Sequence, residues 1–167
     1  MTAYLAPSWE AGRDLFRRNI VGEVVMLNLL RFRDLADYAA TPELAPAEPI
    51  SGAEAFGRYI AHTLPYLEAS GGSLLFIGEG GPFFIGPEAE RWDRAMLVRQ
   101  SSVQNFIAFA SHEGYLAGYG HRLAAVDDSR LLPLAECLSR PARNVQHRRN
   151  AGAGCAPRHC GALRAQA

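Results

Sequence analysis

Four stretches of the chain carry the dense apolar pattern that is typical of β-strands. They lie at about 23–32, 73–81, 91–100 and 121–132. In the first stretch, strict alternation sends two sets of apolar side chains to opposite faces of the predicted sheet. The sets are Val24, Met26, Leu30 and Phe32 on one face, and Val25, Leu27 and Leu29 on the other. Both faces of this sheet therefore need an apolar cover.

Asn28 interrupts the apolar middle of the first strand, on the face that it shares with Met26 and Leu30. A buried amide without a partner costs about 1–3 kcal/mol. Asn28 therefore either faces a binding site or is hydrogen-bonded within the core, and the sequence leaves both interpretations open.

The clearest helix covers about 52–69, where apolar residues recur at helical spacing. Ser51 and Glu54 form a capping-box pattern at its start. Pro65 is expected to kink or weaken its middle, because proline lacks the amide hydrogen that a helical bond needs.

Two shorter helices are also predicted. One covers residues 8–18, begins at a Ser8 cap and has Leu15 and Phe16 on its buried side. The other runs from about 102 to 111 and is capped in the same way by a serine.

Residues 34–50 form a long connection that is rich in Ala and Pro, with one helical turn expected near Tyr38. A connection of this length is either a lid or binding loop, or a plain surface excursion. Residues 82–90, which have turn residues at both ends, are expected to form a hairpin-like excursion.

The predicted order is β-α-β-β-α-β after a leading helix, which is the pattern of a split βαβ repeat. It indicates an α+β, ferredoxin-like fold with a four-stranded antiparallel sheet in the order 4-1-3-2 and two helices on one face. Since the helices cover only one face, a second copy of the sheet is the simplest cover for the other. We therefore predict a homodimer.

The composition is that of a globular domain: of 167 residues, 49% are hydrophobic and 20% are charged. No run approaches the ~20 apolar residues of a membrane span, and the N-terminus lacks the pattern of a secretory signal. These features predict a cytoplasmic protein. All 17 basic residues are Arg, so a Schiff-base lysine is excluded.

The charge is divided unevenly along the chain, which we divide into a helical extension at 1–20, a barrel domain at 21–138 and an Arg-rich tail at 139–167. The tail has six Arg and no acidic residue, and its low apolar content predicts disorder. The acidic remainder argues against a nucleic-acid partner. The two His and two Cys of the tail fit no zinc-binding spacing, and we expect neither a metal nor a cofactor.

Several segments together resemble the domain of unknown function 1330 family of the dimeric α+β-barrel superfamily. They are VVMLNLLRFRD, SGAEAFGRYI, the GG before LLFIGEG, RWDRAMLVRQSSVQNFIAF and GYLAGYGHRLAAVDDSRLLP. The resemblance covers residues ~20–134 and implies a ferredoxin-like fold with sheet-to-sheet dimerisation. Relatives in the superfamily include cofactor-independent monooxygenases, muconolactone-isomerase-like enzymes, haem-degrading enzymes and small-ligand regulators. The family itself carries no settled activity, so the resemblance assigns no catalytic residue.

In the predicted sheet, the end of the first strand lies beside the starts of the third and fourth. Polar side chains collect at that end, which we select as the candidate site. They are Asn28, Arg31, Arg33, Asp93, Arg94, His121 and Arg122. A second polar group at the opposite end is expected to form structural ion pairs. It comprises Glu23, Arg99, Asp127, Asp128 and Arg130.

His121 and Asp93 are the predicted catalytic residues, because both exchange protons and one is able to orient the other. Two structural alternatives stay open. Asp93 would instead form a salt bridge with Arg31 or Arg122, and His121 would be a hydrogen-bonding histidine at a strand start.

The predicted substrate-binding residues are Asn28, Arg122, Arg31, Tyr59 and Trp92. Asn28 would donate to a developing oxyanion, and the guanidinium fork of Arg31 or Arg122 would hold a carboxylate. The two aromatic residues either line the ligand or belong to the core or a dimer contact.

The function expected from these features is binding of a small organic metabolite by a homodimer, with cofactor-free proton transfer, isomerisation or oxygenation in the catalytic interpretation. The alternative is a non-catalytic ligand-binding or stress-associated homodimer. A cavity of a few hundred Å³ lined by Asn28, Asp93 and His121 would favour catalysis, and a filled barrel would favour the alternative.

Overall fold

The computed structural model describes residues 3–136. Its sheet has four antiparallel strands in the order β2-β3-β1-β4. These are β1 (Val24–Phe32), β2 (Ser73–Glu79), β3 (Arg94–Gln100) and β4 (Val126–Ala135). Read from the β4 edge, this is the predicted strand order 4-1-3-2, so the ferredoxin-like α+β fold is confirmed. The expectations for the tail at 139–167 lie outside the described residues.

Five α-helices lie among the described residues. They are α1 (Trp9–Arg17), α2 (Gly52–Ala69), α3 (Val103–Ala110), α4 (Glu113–Ala117) and α5 (Tyr119–Ala125). The capping box of α2 is present as predicted, since Ser51 accepts from the Glu54 amide and the Glu54 carboxylate accepts from the Ser51 amide. Pro65 lies inside α2 without ending it.

The start of the fourth strand differs from the prediction. Residues 121–125 belong to α5, and β4 begins at Val126. Ala124 and Ala125 are fully buried in the core cluster that includes Phe56 of α2. The sequence of this stretch suits a helix or a strand, and the packing against α2 favours the helix. His121 and Arg122 therefore lie on a helix rather than at a strand start.

The same shift moves Asp127 and Asp128 to the other end of the sheet from the one predicted. Asp128 pairs in register with Arg31, next to the end of β1. The expectation that these two aspartates lie at the opposite end, with Glu23 and Arg99, is therefore wrong. Glu23 and Arg99 do pair there, at 3.5 Å.

The helix-facing side of the sheet carries the core. Leu30 of β1 packs with Phe56 and Ala124, and Met26 packs with Val103 of α3. Phe56, Met26 and Leu30 are each 2% exposed. Burying a side chain of this size contributes about 1.5–3 kcal/mol, so this layer is the main source of stability.

Helix α1 packs more loosely than predicted. The Ser8 hydroxyl accepts from the Ala11 amide, which confirms the cap. No residue of α1 is buried, however, and only Leu15 packs against the cluster of Val24, Met26 and Val103. Phe16 is 54% exposed, so the expectation that it is buried is wrong, because only one side of this short helix meets the core.

The other side of the sheet is apolar and partly exposed, and we name it the open sheet face. Its residues are Val25, Leu27, Leu29, Phe76, Leu97, Leu132 and Leu134. The strand register aligns Phe76, Leu97, Leu27 and Leu132 in one row across all four strands. Phe76 and Leu132 are 54% and 52% exposed.

The long connection after β1 is tied to the helix layer. The amides of Arg33 and Asp37 donate to the carbonyls of Ala125 and Ala124. Tyr38 is buried, and the single helical turn lies at Pro42–Leu44 rather than near Tyr38. The first part of the connection is therefore held in place, and this positions the candidate site.

Candidate functional site

A groove of about 360 Å³ lies at the end of β1, where the long connection begins. Its lining residues are Arg31, Phe32, Arg33, Asp34, Leu35, Asp37, Arg91 and Asp127. The groove lies at the end of the sheet that the sequence selected as the candidate site. Six of its eight residues are charged, three positive and three negative, so its chemistry is that of a polar site with a small apolar patch.

Two of the three arginines are already paired. Nε and Nη2 of Arg31 both lie 2.9 Å from Oδ2 of Asp127, and its Nη2 lies 3.8 Å from Asp128. Arg91 Nη1 lies 2.5 Å from Oδ1 of Asp93. A ligand would compete with a carboxylate for either of these guanidinium groups.

Arg33 differs from its neighbours. Its Nε is buried without a hydrogen-bond partner among residues 3–136, and no ion pair of that part of the chain includes it. Its backbone is fixed on both sides, since its amide donates to Ala125 at 2.9 Å and its carbonyl accepts from the Gly52 amide at 3.1 Å. Arg33 is thus a positioned guanidinium with donor capacity to spare.

The start of α2 approaches Arg33 so closely that only glycine fits. A Cβ on Gly52 would lie 2.4 Å from the Arg33 carbonyl and 2.6 Å from that of Ala125. The lack of a side chain at Gly52 therefore allows α2, the connection and α5 to meet behind the groove.

Asp93 has a structural set of partners. Its amide donates to the Leu30 carbonyl at 2.8 Å, and its Oδ2 accepts from the Phe32 amide at 2.7 Å. Its other oxygen is paired with Arg91. Of the predicted alternatives, a salt bridge is present, but its partner is neither Arg31 nor Arg122.

His121 lies on α5 beside Tyr38. Its Nδ1 is 2.8 Å from the Tyr38 hydroxyl, and the two rings meet edge to face. Burial lowers the pKa of His121 below its ordinary value, and the positive charge of Arg58 and the nearby His62 lower it further. These surroundings favour the neutral form of the imidazole. Within the described part of the chain, no hydrogen bond joins it to Asp93.

Asn28 has a partner in its own strand. Its Nδ2 donates to the Met26 carbonyl at 3.1 Å, and its side chain is half-buried on the helix-facing side. The amide hydrogen bond of the core interpretation is therefore present. A role for Asn28 in a binding site stays a prediction.

Arg122 anchors the N-terminal segment. Its guanidinium donates to the Leu5 carbonyl at 2.8 Å and to the Ser129 hydroxyl at 3.2 Å, and it lies over the ring of Tyr119. These contacts join the segment before α1 to β4 and α5, so Arg122 has a structural role, and its role in substrate binding stays a prediction.

The two predicted aromatic residues lie apart from the groove lining. Tyr59 of α2 packs on Phe56 and shares a hydrogen bond with the Tyr115 hydroxyl at 3.2 Å, and burial raises its pKa. Trp92 is 3% exposed, with Arg130 stacked 5.0 Å from its ring centre.

Of the seven predicted site residues, only Arg31 lines the groove, and Asp93 adjoins it through Arg91. Sequence reasoning missed Asp34, Asp37 and Arg91. The run RFRDLAD, which puts one charge at the end of a buried strand and three directly after it, is the signal that could have found two of them.

Among residues 3–136, no group of three or more His, Cys, Asp or Glu side chains is placed to hold a metal ion. In the same part of the chain, no helix is both long enough and apolar enough to cross a membrane.

No family model matches the chain, and no curated protein matches it either. Membership of the domain of unknown function 1330 family therefore stays a prediction. Among solved structures, the chain resembles a dimeric ferredoxin-like protein of unknown function from Thermobifida fusca. That likeness has 16% identity, covers 69% of this chain and 92% of the other, and gives a TM-score of 0.42.

Two structures of the RPA0582 protein are more similar. The methylated protein is 33% identical over 86% of this chain and 100% of its own, with a TM-score of 0.71. The other, a protein of unknown function from Rhodopseudomonas palustris, is 32% identical over 83% of this chain and 100% of its own, with a TM-score of 0.69. At this identity and coverage, the chain belongs to the same family as RPA0582.

Proposed function

We propose that this protein is a homodimer that binds a small organic acid in the groove at the end of β1. The observation that carries the proposal is Arg33, a positioned guanidinium without a counter-ion among the described residues, in a groove of about 360 Å³. A groove of this volume falls within the usual range for small-molecule sites.

The carboxylate of the ligand would bind Arg33. A guanidinium fork matches the two oxygens of a carboxylate, and such charge-assisted bonds are stronger than neutral ones. Phe32 and Leu35 offer apolar contact for the remainder of the molecule. Arg31 and Arg91, which already have carboxylate partners, would shape the walls.

The homodimer would form through the open sheet face. The apolar row of Phe76, Leu97, Leu27 and Leu132 is continuous across the sheet, and a two-fold pairing would bury the same row on both copies. The charged residues beside this row are paired within the chain, such as Arg130 with Asp128 at 2.7 Å. Such a face has little unpaired charge to desolvate.

Catalysis by His121 and Asp93 is a separate proposal that the groove does not support directly. The groove has the volume of the catalytic interpretation, but Asn28, Asp93 and His121 are absent from its lining. Both oxygens of Asp93 are occupied, so proton transfer would depend on His121 alone. Binding is therefore the function that we propose, and turnover would require a substrate that reaches the imidazole.

Titration calorimetry with small aliphatic and aromatic carboxylates tests the binding. Arg33→Gln removes the charge and is expected to weaken binding by roughly tenfold to a hundredfold, since a hydrogen bond to a charged group contributes about 1.5–3 kcal/mol. Arg13→Gln, at an exposed arginine of α1, is the matched control. Equal affinity in the Arg33 variant and the wild type would contradict the proposal.

A further inference from the structure

We infer that the ligand of this groove is a zwitterion, with a carboxylate and a protonated amine on one small apolar body. The inference rests on the proposed function of the groove and narrows its ligand class. It follows from the charges that remain in the groove once the internal ion pairs are set aside.

The internal pairs neutralise half of the charged lining. Arg31 and Asp127 hold each other through two contacts of 2.9 Å, and Arg91 is held by Asp93. The charges left over are the cation of Arg33 and the carboxylates of Asp34 and Asp37. The free part of the groove therefore carries both signs.

The remaining charges do not pair with one another. Within residues 3–136, no ion pair of 4.0 Å or less joins Arg33 to Asp34 or to Asp37, although all three line the same groove. One oxygen of Asp37 accepts from the Ala39 amide at 3.0 Å, and the Asp34 carboxylate makes no hydrogen bond to any residue in the described range. Opposite charges that are held apart in one groove match a ligand that carries both.

This arrangement also selects against ligands with a single charge. A simple organic acid attracted by Arg33 would meet the two carboxylates, and a simple amine attracted by them would meet the guanidinium. Such like-charge contacts lower the affinity for the wrong ligand. The apolar part of the ligand would contact Phe32, which is half-buried, and Leu35, which is exposed.

Leucine, N-acetyl-leucine and leucinamide are the probes, because they share one apolar body and differ in charge. Titration calorimetry on the full chain is expected to show leucine binding about tenfold more tightly than either analogue. N-acetyl-leucine retains only the carboxylate, and leucinamide retains only the amine. This comparison uses the wild-type protein, so it does not depend on the folding of any variant.

Two variants assign the charges to residues. Arg33→Gln is expected to weaken the binding of leucine and N-acetyl-leucine about tenfold and to leave the binding of leucinamide unchanged. The double variant Asp34→Asn, Asp37→Asn is expected to weaken the binding of leucine and leucinamide. The binding of N-acetyl-leucine should be unchanged or stronger.

The outcomes separate this inference from the proposed function. N-acetyl-leucine binding as tightly as leucine, with sensitivity to Arg33→Gln, would overturn the zwitterion and leave the organic-acid site standing. Absence of leucine binding at millimolar concentration would overturn the zwitterion, and the carboxylate series described above then decides the proposed function. Leucine binding that neither set of substitutions changes would overturn both.

Discussion

The two faces of the sheet differ in how deeply they bury the alternate apolar residues of β1. At the even positions of β1, Met26 and Leu30 are almost fully buried under helices of their own chain. At the odd positions, Leu27 and its neighbours are as apolar but only half-buried. Apolar character alone therefore does not show which face is the core, because residues 3–136 bury one face and leave the other partly exposed.

The charges follow the same division. The ion pairs of Arg31 with Asp127 and of Arg130 with Asp128 lie beside the open sheet face, whereas the helix-facing side holds Asn28 with its bond to Met26. Polar groups next to an apolar face cost least in an interface when they are already paired.

Truncation of matched phenylalanines on the two faces should give the largest difference. Phe56→Ala removes a core side chain and is expected to lower the free energy of unfolding by about 3–5 kcal/mol. Phe76→Ala, on the open sheet face, is expected to have little effect on the stability of a single copy. Urea unfolding in a Leu132→Asp background, which is meant to keep the protein monomeric, measures both. Similar losses at the two positions would show that the open face is also core.

A charge placed on the open sheet face should break the dimer. Leu132→Asp puts a carboxylate at the β4 end of the apolar row, and burying an unpaired charge is strongly unfavourable. Sedimentation is expected to show dimer for the wild type and monomer for the variant, with the fold intact by circular dichroism. Glu10→Gln, on the exposed side of α1, is the control. A monomeric wild type at micromolar concentration would remove the dimer from the proposal.

Two glycines of α2 should respond in opposite directions to the same added methyl group. Gly52→Ala forces a Cβ against two backbone carbonyls and is expected to destabilise by about 1–3 kcal/mol, the cost of overpacking. Gly57→Ala has no atom within 4 Å of the new Cβ and should stabilise the helix by up to about 1 kcal/mol. Thermal unfolding measures both. Equal changes in stability at the two positions would mean that the backbone around Gly52 moves to accommodate a Cβ at little cost.

The pH dependence from His121 should be the smallest effect. Its pKa is lowered in the folded protein, so the unfolded chain binds the proton more readily. The neutral imidazole therefore contributes stability above the ordinary pKa of 6.5, and this contribution is lost as the pH falls through the lower folded value. Urea unfolding between pH 7 and 5 is expected to show a shallower pH dependence in His121→Gln than in the wild type. An unchanged slope would contradict this assignment.

The sequence predicted the fold well where local signals and packing agree. The alternation of β1 and the capping box at Ser51 both point to the structure observed, and the order of elements leads directly to the sheet order. The segment HRLAA was misassigned because its small and apolar residues suit a helix or a strand. Packing against α2, which no local pattern reveals, decides between them.

The candidate site was predicted by location rather than by residue. Strand direction correctly placed a polar end beside the end of β1, and Arg31 lies in the groove there. Which charges remain free depends on ion pairs across the fold, such as Arg31 with Asp127, and this pair follows from the start of β4 at Val126. Spacing along the chain does not contain that information.

The backbone of Arg33 has a consequence for the order of folding. It joins three segments that are far apart in the chain, since its hydrogen bonds reach Gly52 and Ala125. Contacts between distant segments require large loops to close first, so they form slowly. The groove should therefore be among the last parts of the molecule to take shape. The amide of Arg33 would report this event, because it donates to the Ala125 carbonyl of α5 and would be protected from hydrogen exchange only after that contact has formed.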